Sequence, residues 1–346
     1  MKQGRIRTIH YGIGSIGAEV VRLLLKRPDI EIVGAVDWHP AKAGKDLAEV
    51  VGLDSPTGIT VAYDPEPLLK GTHADLVLHA TRPNLTTEYP HLLQIVSTKK
   101  SIISCCEELV FPRPRYADLW QKLDHAAREA RVRILGTGLN PGFLMDALPL
   151  AISTACQEIK SFQINQVVSV GPRPMWLHAK IGTGLNLHGF QQAVQNEVIG
   201  YSGLLQSIHM IADTLGWALT DVIETIEPIL SNRRITTEYF EVNKGYVAGI
   251  RQLARGLMSS REAVRLDLEA SLVAENPHTA IFIDGRPPIR LNIPGNIPEE
   301  QTTAAIMVNC IPAVVNSQVL GLLSMRDLPF APYRWPQLQP SEGIIG

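Results

Sequence analysis

The stretch that most constrains the fold is residues 5–37, RIRTIHYGIGSIGAEVVRLLLKRPDIEIVGAVD. Ile6 to Tyr11 is a short β-rich run. It leads straight into Gly12-Ile13-Gly14-Ser15-Ile16-Gly17, a complete G-x-G-x-x-G. Ile16, Val20, Leu23 and Leu24 then recur at helical spacing. Ile30 to Val36 reads as a second strand and ends on Asp37, twenty residues after Gly17. Strand, glycine turn, helix, strand and acid in that order form the opening unit of a dinucleotide-binding domain, whereas the glycines alone would be weak evidence. Gly12 permits the tight turn, and Gly17 lets the helix pack close to the strand. Gly14, with Ser15 and Ile16 at the helix start, lets the backbone meet a pyrophosphate. Asp37 is placed to accept hydrogen bonds from the adenosine ribose, and its charge disfavours a 2′-phosphate. Lys42 and His39 would offset that charge, although Lys42 alone reads as a solvated helix-start lysine. The expected cofactor is therefore NAD, with NADP possible.

A chain of 346 residues has room for two ordinary domains. It is 45% apolar and 19% charged with a net charge of −2, an ordinary globular balance with no basic surface for nucleic acid or anionic membrane. No apolar run reaches membrane-spanning length, and the start MKQGRIRTIHYG runs into a strand without a leader-like segment, so a cytoplasmic protein is expected. The cysteines, Cys105, Cys106, Cys156 and Cys310, lack metal-ligand spacing, and no metal is expected.

Further strands are expected at Ile59–Ala62, Asp75–Ala80, Ser101–Cys105 and Arg133–Gly136, with a helix over Tyr116–Ala130. The first domain is thus an α/β Rossmann domain, a doubly wound parallel sheet of six strands over residues 1–145. Ligands of such sheets bind outside the carboxyl ends of the strands. This places Ala80, Thr81 and Asn140 at the cofactor. The fifth strand runs into Cys106-Glu107-Glu108-Leu109. Neighbouring residues of an extended segment point to opposite sides, so one glutamate faces the ligand. A carboxylate there can hold a substrate ammonium and relay protons. The competing reading is an acid pair at a helix start. Cys105 and Cys106 end an apolar strand and read as buried and inert rather than nucleophilic.

From residue 146 the pattern changes. Phe162 to Val170 is a long β-rich run, and Val264, Leu266, Leu268, Ala270 and Leu272 alternate strictly. Strands are expected at Ile281–Ile283 and Ile289–Ile293. Helices are expected at Asn186–Ile199 and along Leu204, Ile208, Ile211 and Leu215. Residues 146–300 form a second, α+β domain with a mostly antiparallel sheet, one face of which is open for packing or dimerisation. Residues 301–346 return to the first domain through a helix over Thr303–Ile311.

With these pieces placed, the chain resembles the dihydrodipicolinate-reductase-like oxidoreductases, and within them the 2,4-diaminopentanoate dehydrogenases and native amine dehydrogenases. The stretches YGIGSIG, AVDWHPAKAGKDL, SCCEELVFPR, GTGLNPGFLMDALP, KIGTGLNLHGF and GYSGLLQSIHMIADTLGW carry the resemblance, together with NCIPAVV and GLLSMRDLP. It implies an NAD(P)-dependent enzyme that interconverts an amine with a ketone or aldehyde plus ammonia, and a homodimer. It gives the acid/base and ammonium-holding role to Glu108, with Glu107 as the fallback. It sets Asn140, Pro141 and Asn309 beside the cofactor and Phe143, Met145, Phe162, Asn165 and Tyr201 on the substrate pocket. Gly200-Tyr201 and Glu300-Gln301-Thr302-Thr303 depart from the family pattern where a second polar group of the substrate would bind. A plain alkyl amine therefore fits as well as a diamino acid. A rival from another class is a non-catalytic NAD(P)-binding sensor or scaffold.

Overall fold

The computed structural model describes residues 4–112, 115–171, 175–237, 241–329 and 332. The chain divides into two compact units, Met1–Phe143 with Pro298–Gly346, and Leu144–Ile297. The first opens with β1 (Ile6–Tyr11), α1 (Ser15–Leu24), β2 (Ile30–Val36), α2 (Leu47–Val51), β3 (Val61–Ala62) and α3 (Pro65–Gly71). It continues through β4 (Leu76–His79), α4 (Leu85–Ser97), β5 (Ser101–Ser104), a 3-10 turn at Glu107–Leu109, α5 (Ala117–Ala130) and β6 (Arg133–Gly136). The second unit holds α6 (Ala147–Ser153), β7 (Glu158–Ser169), α7 (Met175–Lys180), α8 (Leu187–Gln195) and α9 (Leu204–Thr214). It ends in β8 (Asp221–Leu230), the short pair β9 (Ile235–Thr236) and β10 (Glu241–Val242), β11 (Val247–Met258), β12 (Arg261–Ser271), β13 (His278–Arg286) and β14 (Ile289–Pro294). The chain returns to the first unit with α10 (Glu299–Asn316) and β15 (Gly321–Leu323).

The first sheet has the order β15-β6-β5-β4-β1-β2-β3, and its strands pair in parallel throughout. The winding reverses between β1 and β4, the switch point where such sheets take ligands. Adjacent β5 residues serve opposite faces. Ile102 packs with Leu92, Ile95 and Leu123 of α4 and α5, whereas Ile103 packs with Leu24 of α1 and Met307 and Ile311 of α10. Among the described residues the sheet has seven strands where six were expected. The extra one, β15, is a Gly-Leu-Leu tripeptide that pairs with β6, too short to carry a periodic signal of its own. The third strand shrinks to Val61–Ala62, because Thr60 is taken up by an isolated bridge to Asp46.

The second unit is built on a sheet of order β14-β13-β7-β12-β11-β8, antiparallel except for the parallel β7–β12 pair. One face carries Phe162, Ile164, Ile250, Leu266 and Leu268 against Phe190, Leu204, Ile208 and Ile211. The other carries Gln163, Asn165, Arg265, Asp267 and Phe282, which line a groove of about 410 Å³. There Asp267 takes a two-pronged bond from Arg251, at 2.9 and 2.8 Å.

Candidate active site

The glycine loop joins β1 to α1 at the carboxyl edge of the parallel sheet. Gly12 has φ +92°, and a Cβ there would lie 2.5 Å from the Ala80 carbonyl oxygen and 2.8 Å from Thr81 Cγ2. Only glycine lets the loop come this close to the end of β4, which brings Ala80 and Thr81 beside it. Gly14 is the N-cap of α1, ahead of Ser15 and Ile16 in its first turn, and a Cβ on it would meet nothing within 4 Å. That side of the loop is open for a pyrophosphate to approach the helix N-terminus. His10 lies beneath the loop, fully buried, with its Nε2 3.0 Å from the Gly12 carbonyl oxygen. Burial pushes its pKa down to about 4. A histidine whose folded-state pKa is depressed contributes stability that is complete above pH 6.5 and is lost as pH falls toward 4. Acidification across that window should cost about 3 kcal/mol. Urea unfolding of wild type and His10→Gln at pH 7 and pH 4.5 checks this, since the variant should lose markedly less.

Asp37 follows β2, is 7% exposed, and is already engaged. Its carboxylate accepts the Ile13 N–H at 2.8 Å, the His39 N–H at 2.8 Å and the Lys42 ammonium at 3.0 Å. Burial would raise its pKa, but these donors outweigh that and hold it below the usual carboxylate value. Lys42 also donates to the Ile13 carbonyl oxygen at 2.7 Å. The reading of Lys42 as a solvated lysine is therefore corrected: it ties the glycine loop to the Asp37 loop and offsets the Asp37 charge. Lys42→Ala should raise the KM for NADP relative to that for NAD by about tenfold, because the uncompensated carboxylate would face a 2′-phosphate. Steady-state kinetics with both cofactors give the ratio.

The acid pair stands on the 3-10 turn after β5, and the two glutamates differ. Glu108 is 2% exposed, and its Oε2 accepts the Leu85 N–H at 2.8 Å. Leu85 opens α4, whose N-cap Asn84 makes no capping bond with its own side chain. Glu108 fills that place, giving a helix N-terminus both an acceptor and a negative charge. The Glu108 N–H and the Cys106 thiol both donate to the Pro83 carbonyl oxygen, each at 3.1 Å. Glu107 is half-buried. A 3-10 turn has three residues per turn, which sends the two carboxylates to different sides. The cysteines feel the difference: Glu107 raises the Cys105 pKa and Glu108 that of Cys106. Burial is the larger cause in both and takes Cys105 to about 12, so neither thiol is an activated nucleophile. The two acids of the turn therefore sit in different surroundings. Glu108 caps α4, and Glu107 stands half-buried on the other side of the turn.

Opposite the turn, a Cβ on Gly136 at the end of β6 would lie 2.5 Å from the Leu109 carbonyl group, so the acid turn is held against that strand. The loop after β6 carries Asn140, 7% exposed, and Pro141, joined by a cis peptide, and it ends at the half-buried Phe143. The loop is fastened to α10 by Thr303, whose hydroxyl accepts the Leu139 N–H at 3.1 Å. Asn309, expected beside the cofactor, lies six residues further on, about 9 Å along the helix.

The proposed pocket residues do not form one wall. Met145, Phe162 and Tyr201 belong to the core of the second unit. Asn165 shares β7 with Phe162 but, three residues away, faces the other side of the sheet, where it lines the groove. Tyr201 is fixed by Gln252, which bonds both its N–H and its carbonyl oxygen at 2.8 Å.

Sequence reasoning missed a buried cluster at the carboxyl end of β4. The Glu88 Oε2 accepts the Thr81 hydroxyl at 2.7 Å and lies 3.2 Å from His79 Nε2 and 3.1 Å from His91 Nδ1. An acid in the first turn of a helix reads as a solvated charge, and nothing in the sequence marks Glu88 as buried.

Residues 6–106 match the dihydrodipicolinate reductase N-terminal family, and residues 143–335 match the 2,4-diaminopentanoate dehydrogenase C-terminal domain family. A 2,4-diaminopentanoate dehydrogenase of Acetoanaerobium sticklandii is 29% identical over 336 residues, with 94% of each chain covered. An amine dehydrogenase of Streptomyces virginiae is 22% identical over 361 residues, covering 94% of this chain and 97% of its own. The solved structure of an amine dehydrogenase from Mycobacterium smegmatis superposes with a TM-score of 0.85 at 23% identity, over 96% of this chain and 98% of that one, a likeness of fold. The first unit is the NAD(P)-binding domain that its glycine loop and acid describe. Its partner segment carries the diagnostic domain across more than half of the sequence, so the chain belongs to the 2,4-diaminopentanoate dehydrogenase family of NAD(P)-dependent oxidoreductases.

Proposed function

We propose that the protein is an amine dehydrogenase. Amine, NAD(P)⁺ and water give a ketone or aldehyde, ammonia, NAD(P)H and a proton, and the reaction runs in both directions. The observation that carries this reading is the acid turn at the carboxyl edge, separated from the glycine loop's strand only by β4. When bound, the nicotinamide accepts hydride from the carbon bearing nitrogen, or returns it. Glu107 takes a proton from the substrate ammonium and passes it to solvent, then takes one from the attacking water and gives it to the departing nitrogen; in the reverse direction it pairs with the ammonium formed. Glu108 holds the turn to α4 so that Glu107 stays in place. The names of the relatives in A. sticklandii and S. virginiae support an amine as the substrate class, and the first supports a 2,4-diamino acid as the second reading.

The test is absorbance of reduced nicotinamide with NAD or NADP and a panel of short amines and 2,4-diamino acids. Turnover of simple amines supports the first reading, and turnover of diamino acids alone supports the second. Cofactor binding without any amine turnover would favour a sensor. We place the protein in the cytoplasm, a setting that suits its four free thiols. We also read it as a homodimer through the open face of the second sheet, where half-exposed Leu253 and Phe282 stand among arginines, and sedimentation checks this.

A further inference from the structure

The Glu88 cluster does not end at the histidines. The Cys106 N–H, one residue before the acid pair, donates to Ser104 Oγ at 3.1 Å, and Ser104 Oγ lies 2.9 Å from His79 Nδ1. With its oxygen accepting from Cys106, the Ser104 hydroxyl has its proton to give to Nδ1. That puts the imidazole proton on Nε2, toward Glu88 and Thr81. The donors then run in one direction: Cys106 N–H to Ser104, Ser104 to His79, His79 to Glu88, with Thr81 and His91 converging on the same carboxylate oxygen. Glu88 and His79 are 1% and 0% exposed. Burial would raise the Glu88 pKa, but His79, Thr81 and His91 outweigh it and hold it at about 2. Burial keeps His79 below its ordinary value, hence neutral near pH 7.

We propose that Glu88, acting through His79 and Ser104, is a positioning residue that fixes the turn bearing Glu107 and Glu108. The anion is the terminus that orients every donor behind it. One end of the network sets Thr81 against Gly12, and the other sets the backbone on which the acid pair stands. The inference rests on the acid turn being catalytic, so its test has one readout that needs no turnover.

Glu88→Gln keeps the volume but turns a pure acceptor into a partial donor facing three donors. Ser104→Ala removes the middle link for the loss of one atom, and it keeps the test open if the first variant folds poorly. Each should lower kcat about tenfold, Ser104→Ala with the KM for cofactor changed less than threefold, and the double variant should be no slower than the worse single one. Hydrogen exchange of residues 101–111 should quicken in each single variant and no further in the double. Independent losses that multiply in the double variant, or unchanged exchange in the singles, would overturn the chain. Loss of activity on chelation, restored by zinc, would assign His79, Glu88 and His91 to an ion instead and would also overturn it. If no amine is turned over by the wild type, the proposed function fails while the exchange result still decides the chain.

Discussion

Glu107→Gln is expected to lower kcat for amine oxidation by about a thousandfold, a general acid–base loss combined with loss of the charge that pairs with ammonium. The dissociation constant for NAD(P)H, read from its fluorescence, should change less than threefold, because Glu107 lies on the turn after β5 and the glycine loop on the turn after β1. The amide preserves volume, so the protein should unfold at nearly the same temperature. Glu108→Gln should behave differently. Its carboxylate caps α4 through the Leu85 N–H, so the amide weakens a buried charge-assisted bond and costs about 1 kcal/mol of stability. Its kcat should fall by tenfold or less, through a looser turn. Measuring both variants decides between the two acids. A dead Glu108→Gln beside an active Glu107→Gln would return the role to Glu108, and two active variants would remove the turn from the mechanism.

How far these residues were legible beforehand follows from what each signal depends on. The βαβ opening could be read because its determinants are local in sequence: Gly12, Gly17 and Asp37 owe their roles to backbone conformation and spacing. The winding of the first sheet and the alternation of β12 were legible for the same reason. The seventh strand was not, because three residues carry no period and pair only after a return through α10. The acid pair was found, but the capping bond of Glu108 was not. Extended-strand alternation does say that two neighbours diverge. It cannot say that one meets a helix end 23 residues earlier in sequence. Glu88 shows the same limit, since its partners come from β4, α4 and the loop between them. Phe162 and Asn165 were joined in one wall because the family resemblance set both on the pocket. The pleat of β7 sends them to opposite faces, which period-two reasoning applied to that strand would have caught.

Gly17→Ala should have the largest effect on cofactor binding of any single methyl added to the glycine loop's buried side. Alanine favours a helix over glycine by about 1 kcal/mol, and Gly17 lies inside α1, so local propensity predicts a small gain. Sterics point the other way and are larger. The added Cβ would lie 2.1 Å from the Gly12 carbonyl oxygen and 2.8 Å from His10 Nε2. Gly12 cannot yield, because its N–H donates to the Val36 carbonyl oxygen at 2.9 Å and its own oxygen is the partner of buried His10. Relief therefore means moving α1 by more than 1 Å, which unseats Val20, Val21 and Leu24 from the core and costs about 2 kcal/mol after the propensity gain. It also displaces the helix N-terminus that would face the pyrophosphate, so the dissociation constant for NAD(P)H should rise about a hundredfold. Gly14→Ala separates the two consequences. Its Cβ meets no protein atom within 4 Å, so stability should hold while the methyl intrudes where the cofactor backbone must pass. Thermal unfolding and fluorescence titration of the pair give the result. Loss of both stability and binding in one variant, and of binding alone in the other, is what this loop requires. Wild-type affinity in Gly14→Ala would mean that the cofactor does not run along that side of the turn.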